Sequence, residues 1–137
     1  MAETINVLVV DDEPYFLELF TNRFSRRGLN VLQAGGGDEA LDVLDKEKVD
    51  VVVLDVLMPG MNGIETLKEI KKHHPFLEVI MLTGHGSVDM GLKGMRHGAY
   101  DYVMKPFKID DLLSRIQRAN DRRKLHQGGG GAAEDAP

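Results

Sequence analysis

The chain has 137 residues, 42% hydrophobic and 28% charged, with a formal charge of −5 and no cysteine. That length suits one domain with a real core, and the missing thiols exclude a disulfide framework and a thiolate metal site. The acidic balance argues against bulk nucleic-acid binding. The sequence carries neither an apolar run long enough for a membrane nor the basic-then-apolar start of a signal peptide, which together favour the cytoplasm.

Residues 5–10 (Ile-Asn-Val-Leu-Val-Val) read as a first strand, followed at once by Asp11, Asp12 and Glu13. Pro14 suits the first turn of a helix, and acids there suit its dipole. Phe16, Leu17, Phe20 and Phe24 mark one helical face, and Gly28 ends that helix as a C-terminal cap. Residues 29–34 form a second strand, and Gly35-Gly36-Gly37 turns the chain. Asp38 and Glu39 open a second helix with apolar Ala40, Leu41, Val43 and Leu44. The β-branched run from Val51 reads as a strand buried on both faces, ending on Asp55. Pro59, Gly60 and Gly63 break the chain after it. Asn62 with Glu65 is a capping-box-like start to a third helix over about 63–74, with Ile64, Leu67 and Ile70 inward and Pro75 as its stop.

A fourth strand over 78–82 ends at Thr83. Gly84-His85-Gly86 is a loop, and Ser87 can cap a fourth helix over 87–97. Val88, Leu92 and Met95 are expected to line that helix, which Gly98 closes. Gly91 and Gly94 lie inside it, Gly91 near the inward face and Gly94 nearer the surface. Two glycines could weaken a helix by about 1–2 kcal/mol, so this element is expected to be held loosely enough to be repositioned. Residues 100–104 form a fifth strand, followed by Lys105-Pro106. A fifth helix from about Asp110 to His126 turns Leu112, Leu113, Ile116 and Ala119 inward. Its Arg115, Arg118, Arg122, Arg123 and Lys124 read as a solvated face, or second as a docking surface. Residues 127–137, Gly/Ala-rich and acidic, are expected to be disordered.

Five βα units imply an α/β fold, a doubly wound parallel sheet with helices on both faces, and five strands fit the flavodoxin-like order 2-1-3-4-5. In that order the carboxyl ends of strands 1, 3, 4 and 5 converge. They carry Asp11 and Asp12, Asp55, Thr83 and Lys105. Alone, Asp55 reads as a turn residue, Thr83 as a strand residue and Lys105 as a solvated lysine; it is the set that points to a site. Crowded carboxylates repel, so at least one should resist ionising, and a hard divalent cation relieves the repulsion. Magnesium prefers one or two carboxylates, water and a phosphate oxygen, and a lysine is a point charge suited to phosphate. A metal site, a nucleophilic carboxylate, a hydroxyl and a cation are what moving a phosphoryl group onto an aspartate requires.

These residues, with Met58-Pro59-Gly60-Met61-Asn62-Gly63 and Lys105-Pro106-Phe107, resemble a response-regulator receiver domain over about residues 5–125. Thr83-Gly84-His85-Gly86 and Gly98-Ala99-Tyr100-Asp101-Tyr102 are similar to the receivers of nitrogen-regulatory transcription activators. The resemblance implies that Asp55 is the phosphoacceptor. It implies that Asp12, Asp55 and the backbone carbonyl of Leu57 bind Mg2+, and that Asp11 contacts the metal mainly through water. It makes Thr83 the hydroxyl that moves toward the phosphoryl group, Lys105 the cation that grips it, and Tyr102 an aromatic that turns inward when Thr83 moves. It also implies a cis Lys105–Pro106 bond. Without the resemblance, Tyr102 reads as packing. His85 can position a water for dephosphorylation, or be a loop histidine with no chemical role. His73 and His74 point in different directions and do not suggest a shared metal.

The implied function is a phosphorylation-dependent switch. A sensor histidine kinase supplies the phosphoryl group, and a surface of helix 4, strand 5 and helix 5 reads it out to an output domain or protein, or forms a homodimer. The implied domain spans 1–126. No output domain fits after it, so the chain is a stand-alone receiver or part of a longer regulator. A magnesium-dependent phosphohydrolase of small molecules needs a cap that no insertion supplies. A flavin or nucleotide binder of similar fold conflicts with Asp11-Asp12-Glu13 in the first βα turn, which would repel a phosphate.

Overall fold

The computed structural model describes residues 4–58, 62–84 and 88–128. The expectations for Pro59, Gly60 and Met61, for His85 and the Ser87 cap, and for the tail beyond Gly128 lie outside them. The elements alternate without exception: β1 (Asn6–Val10), α1 (Pro14–Ser25), β2 (Asn30–Ala34), α2 (Gly37–Lys46), β3 (Val51–Asp55), α3 (Gly63–His73), β4 (Glu78–Thr83), α4 (Val88–Arg96), β5 (Asp101–Met104) and α5 (Ile109–Gly128). The strands form one parallel sheet in the order β2-β1-β3-β4-β5. The chain first moves from β1 out to β2 and then back across β1 to β3, so right-handed crossovers put α1 on one face and α2, α3 and α4 on the other.

Strand alternation builds two cores. Leu8, Val10, Val52, Leu54, Val79 and Met81 face α2 and α3, meeting Ala40, Leu44, Ile64, Leu67 and Ile70. Val7, Val9, Val51, Val53, Ile80 and Leu82 face the other way, toward Leu17, Phe20 and Phe24 of α1 and Leu112, Ile116 and Ala119 of α5. The central β3 and β4 are buried at every position, as their unbroken apolar runs require. Helix α1 starts with Pro14 at its first turn, and Gly28 beyond its end takes the left-handed conformation, φ 89°. The Asn62/Glu65 capping box forms at the start of α3.

Helix α4 departs from expectation. Leu92 and Met95 are 43% and 40% exposed, and the buried residues of α4 are Gly91 and Gly94. The helix lies so close to β4 and β5 that little side chain fits between. A Cβ on Gly94 would stand 3.0 Å from Met81 Cγ, and one on Gly91 would stand 2.8 Å from the Tyr102 ring and 2.9 Å from Thr83 Cγ2. Gly94 is therefore not a surface residue, and close packing accounts for both glycines.

The basic end of α5 is also not a uniformly solvated face. Arg123 is buried and pairs with buried Asp50 at 3.1 Å, and Arg122 reaches buried Glu78 at 3.3 Å. His73 pairs with Glu69 and His74 with Asp45, so the two histidines diverge as expected.

Candidate functional site

The site lies at the carboxyl ends of β1, β3, β4 and β5. Asp11 and Asp12 follow β1, and Asp55 ends β3. Each offers one carboxylate oxygen, and the three oxygens lie within 4.8 Å of one another. Asp11 is fixed from two sides. Its Oδ1 accepts the Glu13 N–H at 2.9 Å, a local turn that leads into α1, and its Oδ2 accepts from Lys105 Nζ at 2.9 Å. Lys105 Nζ also lies 3.6 Å from Asp55 Oδ1. Lys105 is aimed from the far side of the sheet by its own backbone, whose N–H donates to Thr83 O at 2.6 Å. The Lys105–Pro106 bond is cis.

One ammonium does not balance three carboxylates. Burial pushes the Asp55 carboxyl up from 3.8 to about 6. Lys105 opposes that shift, while Asp11 and Asp12 reinforce it. The expected resistance to ionisation thus falls on the acid at the end of the central strand. The donor set is all hard oxygen with a charge deficit, which fits a hard divalent ion of the magnesium or calcium type rather than a thiolate- or imidazole-seeking one.

Gly63 sets the loop that carries Leu57. Its N–H donates to Val56 O at 3.1 Å. A Cβ there would meet Val56 Cα at 2.5 Å and Asp55 O at 2.6 Å, so only glycine allows α3 to start this close to the end of β3. The Leu57 side chain is exposed.

Thr83 is fully buried, and its hydroxyl points along the sheet toward Val103 O at 3.5 Å, at the edge of a hydrogen bond. Tyr102 is half-buried and packs on the α2/α3 side of the sheet. The Thr83 methyl and the Tyr102 ring share one neighbour, the Gly91 backbone. Phe16, on the first turn of α1, joins the site unannounced: its ring lies 4.3 Å from Lys105 Nζ. In the sequence it was one member of the stripe with Phe20 and Phe24, and nothing in that spacing distinguishes a ring beneath an ammonium from a core ring. His85 lies outside the described residues.

A doubly wound five-stranded sheet with an acidic cluster, a lysine and a hydroxyl at its switch point defines a class of signalling and phosphate-handling α/β domains. The model of the response regulator receiver domain matches residues 7–117, and the chain belongs to that family, the receivers of two-component systems. It is 37% identical over 111 residues to the DNA-binding transcriptional regulator NtrC of Klebsiella pneumoniae, covering 81% of this chain and 24% of that protein. It is 36% identical over 116 residues to the probable transcriptional regulatory protein TcrX of Mycobacterium tuberculosis, covering 85% of this chain and 50% of that one. The chain thus spans half or less of these curated relatives. Among solved structures, a receiver domain protein from Clostridium thermocellum superposes with a TM-score of 0.85 at 37% identity, covering 88% of this chain and 98% of that one. NtrX from Brucella abortus superposes with a TM-score of 0.87 at 35% identity, covering 93% and 30% respectively.

Proposed function

We propose that the chain is a phosphoacceptor switch in which Asp55 takes a phosphoryl group from a sensor histidine kinase in the cytoplasm. One observation carries the reading: Asp11, Asp12 and Asp55 bring carboxylate oxygens within 4.8 Å of one another, Lys105 reaches two of them, and burial, reinforced by the neighbouring acids, pushes the Asp55 carboxyl up. A carboxylate oxygen of Asp55 attacks phosphorus, the P–N bond to the kinase imidazole breaks, and the leaving nitrogen keeps the electron pair. Asp11, Asp12, Asp55 and the Leu57 carbonyl would hold Mg2+, with Asp11 acting mainly through water; the ion supplies positive charge for the phosphoryl oxygens. Lys105 stands between Asp11 and Asp55, ready to exchange a carboxylate contact for a phosphoryl oxygen. Thr83 would turn its hydroxyl from Val103 O toward the new group, and Tyr102 would follow across the Gly91 backbone. His85 would modulate dephosphorylation.

The readout surface is α4–β5–α5. Exposed Leu92, Met95 and Met104 support that assignment, as does the cluster in which Arg115 pairs with Asp101 and Asp111. Its partner is an output domain or protein, or a second copy. The chain itself contacts neither nucleic acid nor membrane, and the receiver spans 1–126.

Intact mass after acetyl phosphate and Mg2+ tests the reading. One phosphoryl group should be gained, lost in Asp55→Asn and on chelation. Gain at the normal rate in Asp55→Asn would overturn it. Lys105→Arg, whose planar fork needs a different approach, should keep the fold and lose the phosphorylation-dependent change.

A further inference from the structure

We propose that Phe16 is a positioning residue for Lys105, its ring face holding the ammonium against the acidic cluster before the phosphoryl group arrives. The proposal rests on the role given above to Lys105. A lysine ammonium ends a flexible four-carbon stem and is strongly hydrated. Left to itself, it would divide its time between the cluster and water. Here Nζ is held on one side by Asp11 Oδ2 at 2.9 Å and Asp55 Oδ1 at 3.6 Å, and it stands 4.3 Å from the centroid of the Phe16 ring. The negative face of the ring attracts the cation and takes the place of the water that would draw it outward. An aliphatic side chain of similar size would cover the stem without attracting the charge.

The placement follows from the helix. Phe16 lies in the first turn of α1, and helical side chains lean toward the N-terminus, which here is the Asp11–Asp12 end. Phe20 and Phe24, farther along, are buried in the core, whereas Phe16 is only half-buried. The Phe16 ring is itself braced. Phe107 meets it edge-on, at 87° and 6.4 Å, and Phe20 lies 6.1 Å away. Phe107 follows Lys105 by two residues, so one loop sets both the lysine and the brace of the ring beside it. A ring so fixed lowers the reorganisation needed when charge develops on the phosphoryl oxygens.

The test separates the ring's electrostatics from its shape. Phe16 is replaced by phenylalanines of increasing fluorination, by Tyr or Trp, and by Leu, with thermal unfolding as the check on folding. In the unphosphorylated protein, the Lys105 Hε protons should show an upfield ring-current shift, and the side chain should be more ordered than the other lysines. Order should fall stepwise with fluorination and fall fully in Phe16→Leu. The rate of acetyl-phosphate labelling should fall in the same order, to about two- to fivefold below the parent, while Tyr and Trp retain it. Flat order parameters and rates along the series, or a Phe16→Leu protein indistinguishable from the parent, would overturn the proposal. If the parent itself takes no phosphoryl group at Asp55, the functional reading fails, and the Lys105 order parameters alone decide whether Phe16 holds the lysine.

Discussion

The two ends of the sheet bury acids to a similar degree and treat them in opposite ways. At the amino end, Asp50 and Glu78 are 4% and 3% exposed, and at the carboxyl end Asp11 and Asp55 are 2% and 9% exposed. Among the described residues, Asp50 has Arg123, and Glu78 has Lys71 and Arg122. Asp50 Oδ2 also accepts the Asn6 N–H at 2.8 Å, tying the loop before β3 to β1. Among the same described residues, the one cation paired with the carboxyl-end acids is Lys105, which reaches Asp11 and Asp55. With all groups ionised, the amino end carries a net +1 and the carboxyl end −2. The first end is compensated by its own chain and serves to fasten α5 and α3 to the sheet. The second is left short by the charge of one divalent cation, the charge that the proposed magnesium ion would supply.

The largest expected effect breaks the compensated end. Arg123→Met should strand a buried carboxylate and cost about 3–5 kcal/mol in urea unfolding at pH 7, with Asp50→Asn in the same chain recovering most of it. A loss below about 1 kcal/mol would show that water reaches Asp50 and that the two ends are less alike in burial than they look.

Magnesium should act on the other end alone. At about a hundred times its dissociation constant, a ligand specific for the folded state stabilises by about 2.7 kcal/mol. The gain should shrink as pH falls through about 6, where protons compete for Asp55, and it should survive Arg123→Met. A full gain in Asp55→Asn would contradict the site.

Without metal, Asp55 carries a smaller effect of the opposite sign. Its folded pKa is raised, so its contribution to stability is present below about 4 and is lost as pH rises through about 6. With allowance for water at the mouth of the site, Asp55→Asn should exceed the parent by about 1–2 kcal/mol at pH 7 and lose that advantage near pH 4. A parent no less stable than Asp55→Asn at pH 7 in chelator would mean that Lys105 alone satisfies the cluster.

The smallest effects lie in α4, beside the uncompensated end. Overpacking costs about 1–3 kcal/mol, against the 0.5–1 kcal/mol or so that alanine returns to a helix. Gly91→Ala should lose about 1 kcal/mol net, since its Cβ meets an aromatic ring and a threonine methyl. Gly94→Ala meets only the flexible Met81 and should fall near zero. Because α4 buries no large side chain of its own, its amides should exchange faster than those of α5. Equal protection of the two helices would show that close backbone approach holds α4 as firmly as side-chain burial holds α5.

The sequence by itself determined the element order, the strand order and the convergence of Asp11, Asp12, Asp55, Thr83 and Lys105. The element order follows from local periodicity, and the strand order and the convergence follow from the flavodoxin-like arrangement that five right-handed βα units fit, none of which needs knowledge of distant contacts. The Asn62/Glu65 capping box was legible for the same reason, as an interaction of neighbours. Only the tertiary structure decided which face of α4 meets the sheet. Periodicity selects the larger apolar residues, Leu92 and Met95, but the distance between α4 and β4 admits glycines instead. It also decided that Arg123 leaves the solvated face of α5 for Asp50, 73 residues earlier, and that Phe16, at the edge of its core stripe, also meets Lys105. Both pairings join residues far apart in the chain, where charge and aromaticity announce an appetite for a partner but not which partner lies within reach.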